Sequence, residues 1–463
     1  MSPAVPSRRD TIAAIATAPG RAALGIVRVS GRRAREVLSS LVPGSGAADR
    51  PRRMTRGRAA DPRSGRVLDE VLCFFAPGPR TATGEDVAEI HAHGGPLVLR
   101  SILDAALAAG ARVAEPGEFT YRAFLHGRLD LTQAEAVRAL IEARTERAAR
   151  TALGQLEGAI GSELAVDLEE LAAISAEVEA GLDFPDEDLP ASDCRRLAGR
   201  LDAIREHLEK LAAGFGLGRR LEEGACAVLA GPVNAGKSSL LNRLAGAERV
   251  LVDPEPGTTR DVIEVRAEVH GVPLSLRDTA GLRSSPGRIE RRGIDLAREW
   301  AARADVILFV IDAAAPRPDR ETEELIRALL EAAPGDARAL LVLNKCDLPG
   351  WSDAPPARLE RLPRLRVSAL SGEGTDHLLD EIGNALRALA DEEPLITTAR
   401  QHAALDEAAR QLDRAARTLS RYEDPELAAD DLRLARTSLA ALWGRDAERE
   451  VLDALFSRFC LGK

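Results

Sequence analysis

The chain has 463 residues, more than one hydrophobic core accommodates, so about two to four domains are expected. It is 45% hydrophobic and 29% charged, ordinary for a soluble globular protein, and its net charge of −10 argues against a generic polyanion binder while leaving room for a local basic patch. Cys73, Cys194, Cys226, Cys346 and Cys460 are scattered with no CxxC pair, which argues against a zinc site or disulfide scaffold and for a reduced cytosol.

From Asp10 to His126, short β-like runs such as Ala22–Val29 and Val71–Phe75 alternate with turns and helices, an α+β pattern. From Leu129 to Leu221 the period becomes helical. That run opens at Leu131-Thr132-Gln133-Ala134-Glu135-Ala136, continues through Leu201–Leu211, and is broken once at Asp183–Asp188. With aromatics at only 3%, an Ala-rich chain favours helix because Ala loses no side-chain entropy there. From Gly224 to about Glu392 apolar strands alternate with helices, at Ala225–Ala230, Leu274–Leu276, Val306–Ile311, Leu340–Leu343 and Leu365–Val367, which predicts a parallel, doubly wound sheet. After Pro394 helical periodicity returns. The economical arrangement is one helical domain with the βα domain inserted; the alternative is two separate helical modules. The expected division is 1–126, 127–222, 223–387 and 388–463. With no apolar N-terminal segment and no run of about 18 apolar residues, a cytoplasmic protein with no membrane association is expected.

The chemistry sits in the βα region. Gly231-Pro232-Val233-Asn234-Ala235-Gly236-Lys237-Ser238 fits G-x-x-x-x-G-K-[ST], follows an apolar strand and precedes the helix opened by Ser239. Such a loop turns backbone N–H groups toward phosphate oxygens at a helix N-terminus, with Lys237 reaching the β/γ-phosphates and the Ser238 hydroxyl on Mg²⁺. Asp278-Thr279-Ala280-Gly281 ends a later strand, where the Asp can approach the metal through water and the Gly281 N–H can meet the γ-phosphate. Asn344-Lys345-Cys346-Asp347 follows another strand; a carboxylate there accepts the N1 and N2 hydrogens of guanine, a donor pair that adenine lacks. Ser368-Ala369-Leu370 fits the remaining base-contact loop. In this order the motifs predict GTP binding and hydrolysis.

Between the first two motifs, Pro256-Gly257-Thr258-Thr259-Arg260-Asp261 is placed as a first switch, with Thr259 closing on Mg²⁺. The residue after the second motif is Leu282, which cannot orient water as a Gln would. Arg283 is a candidate finger or an ordinary solvated charge. Glu290 could orient water, and its spacing alone does not rank it above its neighbours.

With these residues in hand, the chain resembles the bacterial tRNA-modification GTPase MnmE (TrmE) family over essentially its whole length. The resemblance rests on Asp10–Thr17, Gly25–Gly31, Thr83–Val87, His93–Pro96, Pro116–Phe119, Leu129–Leu131, Gln133–Ala136, Asp183–Pro185 and the terminal Phe459-Cys460-Leu461-Gly462-Lys463. It implies an N-terminal α+β domain that dimerises and binds tetrahydrofolate, a helical domain and an inserted G domain. The implied activity is potassium-stimulated GTP hydrolysis supporting modification at carbon 5 of the wobble uridine in certain tRNAs. An aminomethyl or carboxymethylaminomethyl group is added from a 5-formyl- or methylene-tetrahydrofolate one-carbon unit. The partner would be the FAD-dependent GidA (MnmG), in a heterotetramer.

By position, Asn234 would help hold K⁺, with the loop Asp253-Pro254-Glu255-Pro256-Gly257-Thr258 completing the shell; Asp253, Glu255 and Thr258 are its candidate ligands. Glu290 matches the catalytic glutamate. Arg28, Glu89, Arg128 and Lys463 match folate-contacting positions, a cation pair suiting the glutamate tail and a carboxylate the pterin's donor edge. For Cys460 there are two readings, a thiol taking part in one-carbon chemistry or, more commonly for an apolar tail, a buried Cys. His91 and His93 read as structural. The motifs alone also admit a ribosome-assembly or RNA-binding GTPase of the Era or Der kind, but this chain has no RNA-binding domain after the G domain and no second G domain.

Overall fold

The computed structural model describes residues 10–183, 191–232, 234–245, 264–278, 298–314, 320–335, 337–353, 359–387, 393–421, 424–444, 449–460 and 462. The expected break after Asp183 falls outside them. The chain forms two compact units, Met1–Arg138 with Ala440–Lys463, and Ala139–Leu439.

The first unit contains β1 (Ile12–Ile15), β2 (Leu24–Ser30), α1 (Ala34–Leu41), β3 (Thr55–Ala60), β4 (Val67–Ala76), β5 (Val87–His93), α2 (Pro96–Ala108), β6 (Arg112–Val113) and α3 (Glu118–Leu125), with α4 (Leu131–Glu142) beginning in it. Its six-stranded sheet has the order β3-β4-β5-β2-β1-β6, antiparallel except for β1 with β6. Alternation decides the faces: Val27 and Val29 are buried between the partly exposed Ile26 and Arg28. The apolar face, with Val71, Phe75, Ala88 and Ile90, is covered through Leu38 and Leu41 of α1 and Ile102 and Ala106 of α2. The pleat sends Arg28, Glu89 and Phe74, which are cross-strand neighbours, to the other face.

Behind β1 lies a charge cluster. Arg122, only 3% exposed, donates to Asp10 at 2.8 Å, Glu85 at 2.9 Å and Glu118 at 2.9 Å, while Arg112 reaches Asp10 at 2.6 Å and Glu118 at 2.6 Å. Burial raises the Asp10 and Glu118 carboxyls, but hydrogen bonds and charges from the two guanidinium groups outweigh it and hold both below the ordinary range. The C-terminal helix, Arg449–Phe456, closes the unit, the Phe456 ring meeting Tyr121 edge-on at 5.1 Å. Past it, Phe459 is buried and Gly462 (φ 89°) lies so close to β1 that a Cβ there would sit 2.3 Å from the Ile15 carbonyl oxygen.

The second unit begins with α5 (Glu146–Leu156), α6 (Ala159–Glu163), α7 (Ala165–Asp183), α8 (Ala191–Ala213) and α9 (Phe215–Glu223). The inserted domain follows: β7 (Ala225–Ala230), α10 (Lys237–Ala245), β8 (Glu264–Val269), β9 (Val272–Asp278), β10 (Val306–Asp312), α11 (Arg320–Ala332), β11 (Arg338–Asn344), β12 (Arg364–Val367) and α12 (Thr375–Arg387). α13 (Ala399–Arg421) and α14 (Pro425–Ala440) complete the unit. α13 buries Leu405, Ala408, Leu412, Ala415 and Leu419 on one stripe, α8 buries Leu197, Leu201, Ile204 and Leu208, and the two pack along each other. Helices from before and after the βα region thus pack against each other.

The inserted sheet runs β12-β11-β10-β7-β9-β8, parallel except for the β8–β9 hairpin. Val306–Ile311 of β10 are all buried, with apolar clusters on both faces, as a doubly wound sheet requires. The five expected strands lie within β7, β9, β10, β11 and β12. Where α9 meets the sheet, Asp305 accepts from Arg219 at 2.7 Å, the buried Arg220 at 2.8 Å and the Cys226 N–H at 2.9 Å.

Candidate functional site

The C-terminal ends of β7, β9, β11 and β12 build the site, where open α/β sheets bind ligands. β7 delivers the phosphate loop and α10 starts at Lys237, so the helix N-terminus faces the same loop. Lys237 is buried, and its ammonium donates to the carbonyls of Gly231 at 2.9 Å and Pro232 at 2.7 Å, spanning the loop from within. Asn234 is exposed in a left-handed backbone (φ 64°), a conformation that Asn tolerates. The Ser238 hydroxyl donates to Asp278 Oδ2 at 2.7 Å, so the candidate Mg²⁺ ligand and the carboxylate ending β9 already meet. A hydroxyl beside one carboxylate, leaving most coordination positions to phosphate and water, is the donor set Mg²⁺ favours.

Asn344 does something its motif did not announce. It is 1% exposed, its amide donates to the Ala235 carbonyl at 2.7 Å, and its Oδ1 accepts from the Ala369 N–H at 3.0 Å. One side chain therefore ties the phosphate loop to the loop 368–370. This explains Gly236, at φ 89°, where a Cβ would lie 2.2 Å from Asn344 Nδ2. Lys345, also left-handed (φ 64°), is held by Asp312 at 2.6 Å, a partner absent from the sequence reading. Asp347 is exposed at the loop's rim, Ser368 is buried, and Leu370 is 78% exposed. Burial and the carboxylates of Glu373 and Asp347 push the Cys346 thiol up, keeping it protonated.

Asp253, Pro254, Glu255, Pro256, Gly257, Thr258, Thr259, Thr279, Ala280, Gly281, Leu282, Arg283, Glu290 and Lys463 lie outside the described residues.

Against this geometry, the chain matches the family model for the MnmE helical domain over residues 131–460 and that for the GTP-binding protein TrmE N-terminus over 11–128. It is 43% identical over 471 residues to the tRNA modification GTPase MnmE of Methylorubrum populi, covering 100% of both chains. The chain belongs to the MnmE family of tRNA modification GTPases. The corresponding proteins of Azoarcus sp., 42% identical over 466 residues, and Opitutus terrae, 41% over 462, are likewise covered in full by the alignment on their side. Among solved structures, the G domain of the T. maritima FeoB iron transporter is 25% identical, covering 35% of this chain and 99% of that one, with a TM-score of 0.27. As an MnmE-family member with an assembled phosphate loop, the protein is a GTP hydrolase. Among the described residues, no helix is long and apolar enough to cross a membrane.

In the N-terminal unit, Arg28 and Glu89 come together: Nε donates to Oε1 at 2.7 Å across β2 and β5, and the guanidinium lies 5.8 Å over the Phe119 ring. Glu89 also pairs with His91 at 3.2 Å. Nε of Arg28 is thus spent on Glu89. Arg128 is exposed in the turn after α3, beside Gly84. His93 is exposed and held by Asp69 at 2.8 Å. Cys460 is exposed, against the expectation of burial, because Phe459 occupies the apolar slot beside Phe456 and turns the next residue outward.

Proposed function

We propose that the chain is a potassium-stimulated GTPase whose cycle serves modification of carbon 5 of the wobble uridine of certain tRNAs. The observation that carries this reading is the site uniting the phosphate loop, Asp278 and the Asn344 tether in a chain that aligns with an MnmE relative from end to end. Lys237 is poised to exchange its two carbonyl partners for phosphate oxygens. Ser238, with Thr259, would hold Mg²⁺, which neutralises charge on the β- and γ-phosphates when bound. Leu282 offers no water-orienting group, so Glu290 takes that role. In place of an arginine finger, Asn234 together with Asp253, Glu255 and Thr258 would hold K⁺, which would supply positive charge opposite the developing negative charge. Asp347 reads the guanine edge beside Ser368, Ala369 and Leu370.

The rest of the reading concerns the other segments. Residues 1–126 form the dimerising, tetrahydrofolate-binding domain, with Arg28, Glu89, Arg128 and Lys463 around the folate. Residues 127–222 and 388–463 form the helical domain, although the stretches up to Arg138 and from Ala440 belong to the first compact unit, and 223–387 form the G domain. The chain works in the cytoplasm on tRNA, as a homodimer joined by an FAD-dependent partner of the GidA (MnmG) kind that completes the one-carbon transfer. Steady-state GTP turnover in KCl against NaCl at equal ionic strength tests the mechanism. Stimulation by K⁺ is expected, and equal rates in the two salts would overturn it.

A further inference from the structure

We propose that Arg243 is a positioning residue for base recognition, clamping the loop 368–370 from the helix that carries the phosphate-binding lysine; this rests on the reading of that loop as the base-contact loop. α10 starts with Lys237 and Ser238, and Arg243 lies under two turns further along the same rigid element. Its Nε donates to the Ala369 carbonyl at 3.2 Å and its Nη2 to the Leu370 carbonyl. Ala369 is thus held from both sides, its N–H by Asn344 and its C=O by Arg243.

Among the described residues, the loop's other holds are Ala369 packing at the margin of the core and the loop's own turn. Leu370 is 78% exposed and supplies no apolar anchor, while Ser368 is occupied in the loop's own turn, its N–H donating to the Glu373 carbonyl and its Oγ accepting from the Ser371 N–H. A guanidinium fork suits two successive carbonyls, whereas an ammonium offers one point charge. Arg243 therefore sets the distance between base loop and phosphate loop by a route independent of Asn344, and its loss should loosen the grip on the base without touching the phosphate chemistry.

The test measures release of fluorescent mant-GDP by stopped flow, with KM and kcat for GTP, in the full chain carrying Arg243→Ala or Arg243→Lys. For Arg243→Ala the expected outcome is release faster by about fivefold with a matching rise in KM and a smaller change in kcat, the scale of a charge-assisted bond in partial contact with water. Arg243→Lys should fall between, and serves alone should the alanine variant fail to fold. Release and KM within about 1.5-fold of the parent chain, well under the effect of one hydrogen bond, would overturn the proposal. Asp347→Asn separates the two levels, since an amide in that place should move preference from GTP toward XTP. If it does while Arg243→Ala is silent, only the positioning role falls; if preference does not move, the base-site reading falls with it.

Discussion

Replacing Asn344 with Ala removes a side chain that bonds directly to both the phosphate loop and the base loop. The change abandons two buried bonds, the amide to Ala235 O at 2.7 Å and the acceptor for Ala369 N at 3.0 Å. A buried backbone group left without a partner costs about 1–3 kcal/mol. In the empty domain both loops lie near the surface and can relax until water repairs part of that loss. Bound nucleotide forces them back together, so most of the penalty falls on the complex. A net loss of about 2–4 kcal/mol corresponds to GDP binding weaker by about 30- to 700-fold, at about 1.4 kcal/mol per decade. Isothermal titration of GDP into the full chain measures this, with circular dichroism as the check on folding. A folded Asn344→Ala chain that binds GDP within about threefold of the parent, less than a single hydrogen bond accounts for, would refute the tether.

Two further expectations concern the N-terminal unit. Arg122→Met leaves Glu118 and Glu85 without their shared buried cation and should destabilise the unit by about 3–5 kcal/mol, read by scanning calorimetry of the full chain. In the parent chain, Asp10 and Glu118 have folded pKa values below their ordinary 3.8 and 4.5. Their contribution is therefore complete above those values and is lost as pH falls through the lower folded ones. Melts from neutral to acidic pH should show a drop confined to the acid end, shallower in Arg122→Met. Gly462→Ala places a methyl group 2.3 Å from the Ile15 carbonyl in a left-handed backbone. It should detach the tail, seen as faster limited proteolysis after Arg458; an unchanged rate would mean that the tail is not seated on β1.

The nucleotide domain was legible because the phosphate loop and the Asn344 motif each follow a long apolar run, Ala225–Ala230 and Leu340–Leu343, so loop order and sheet order could be read together. β8 escaped notice because Glu264-Val265-Arg266-Ala267-Glu268-Val269 has only three apolar positions, as suits an edge strand open to solvent on one face. Asn344 was read as part of a base-contact motif, and nothing in its neighbourhood in sequence points to Ala235, over a hundred positions upstream. The burial of Arg122 depends on Asp10 and Glu85, which arrive from distant segments, so no local sequence feature marks it. The assignment of Ala440–Lys463 to the N-terminal unit was likewise hidden, because the aromatic contacts of Phe456 with Tyr121 and Phe124 leave no periodic mark.

The central claim is that this GTPase serves wobble-uridine modification, and nucleoside mass spectrometry of bulk tRNA tests it most directly. A deletion strain should lack the carbon-5 aminomethyl and carboxymethylaminomethyl nucleosides, and the intact chain, but not its Lys237→Ala variant, should restore them. Undiminished modified nucleosides in the deletion strain would contradict the account.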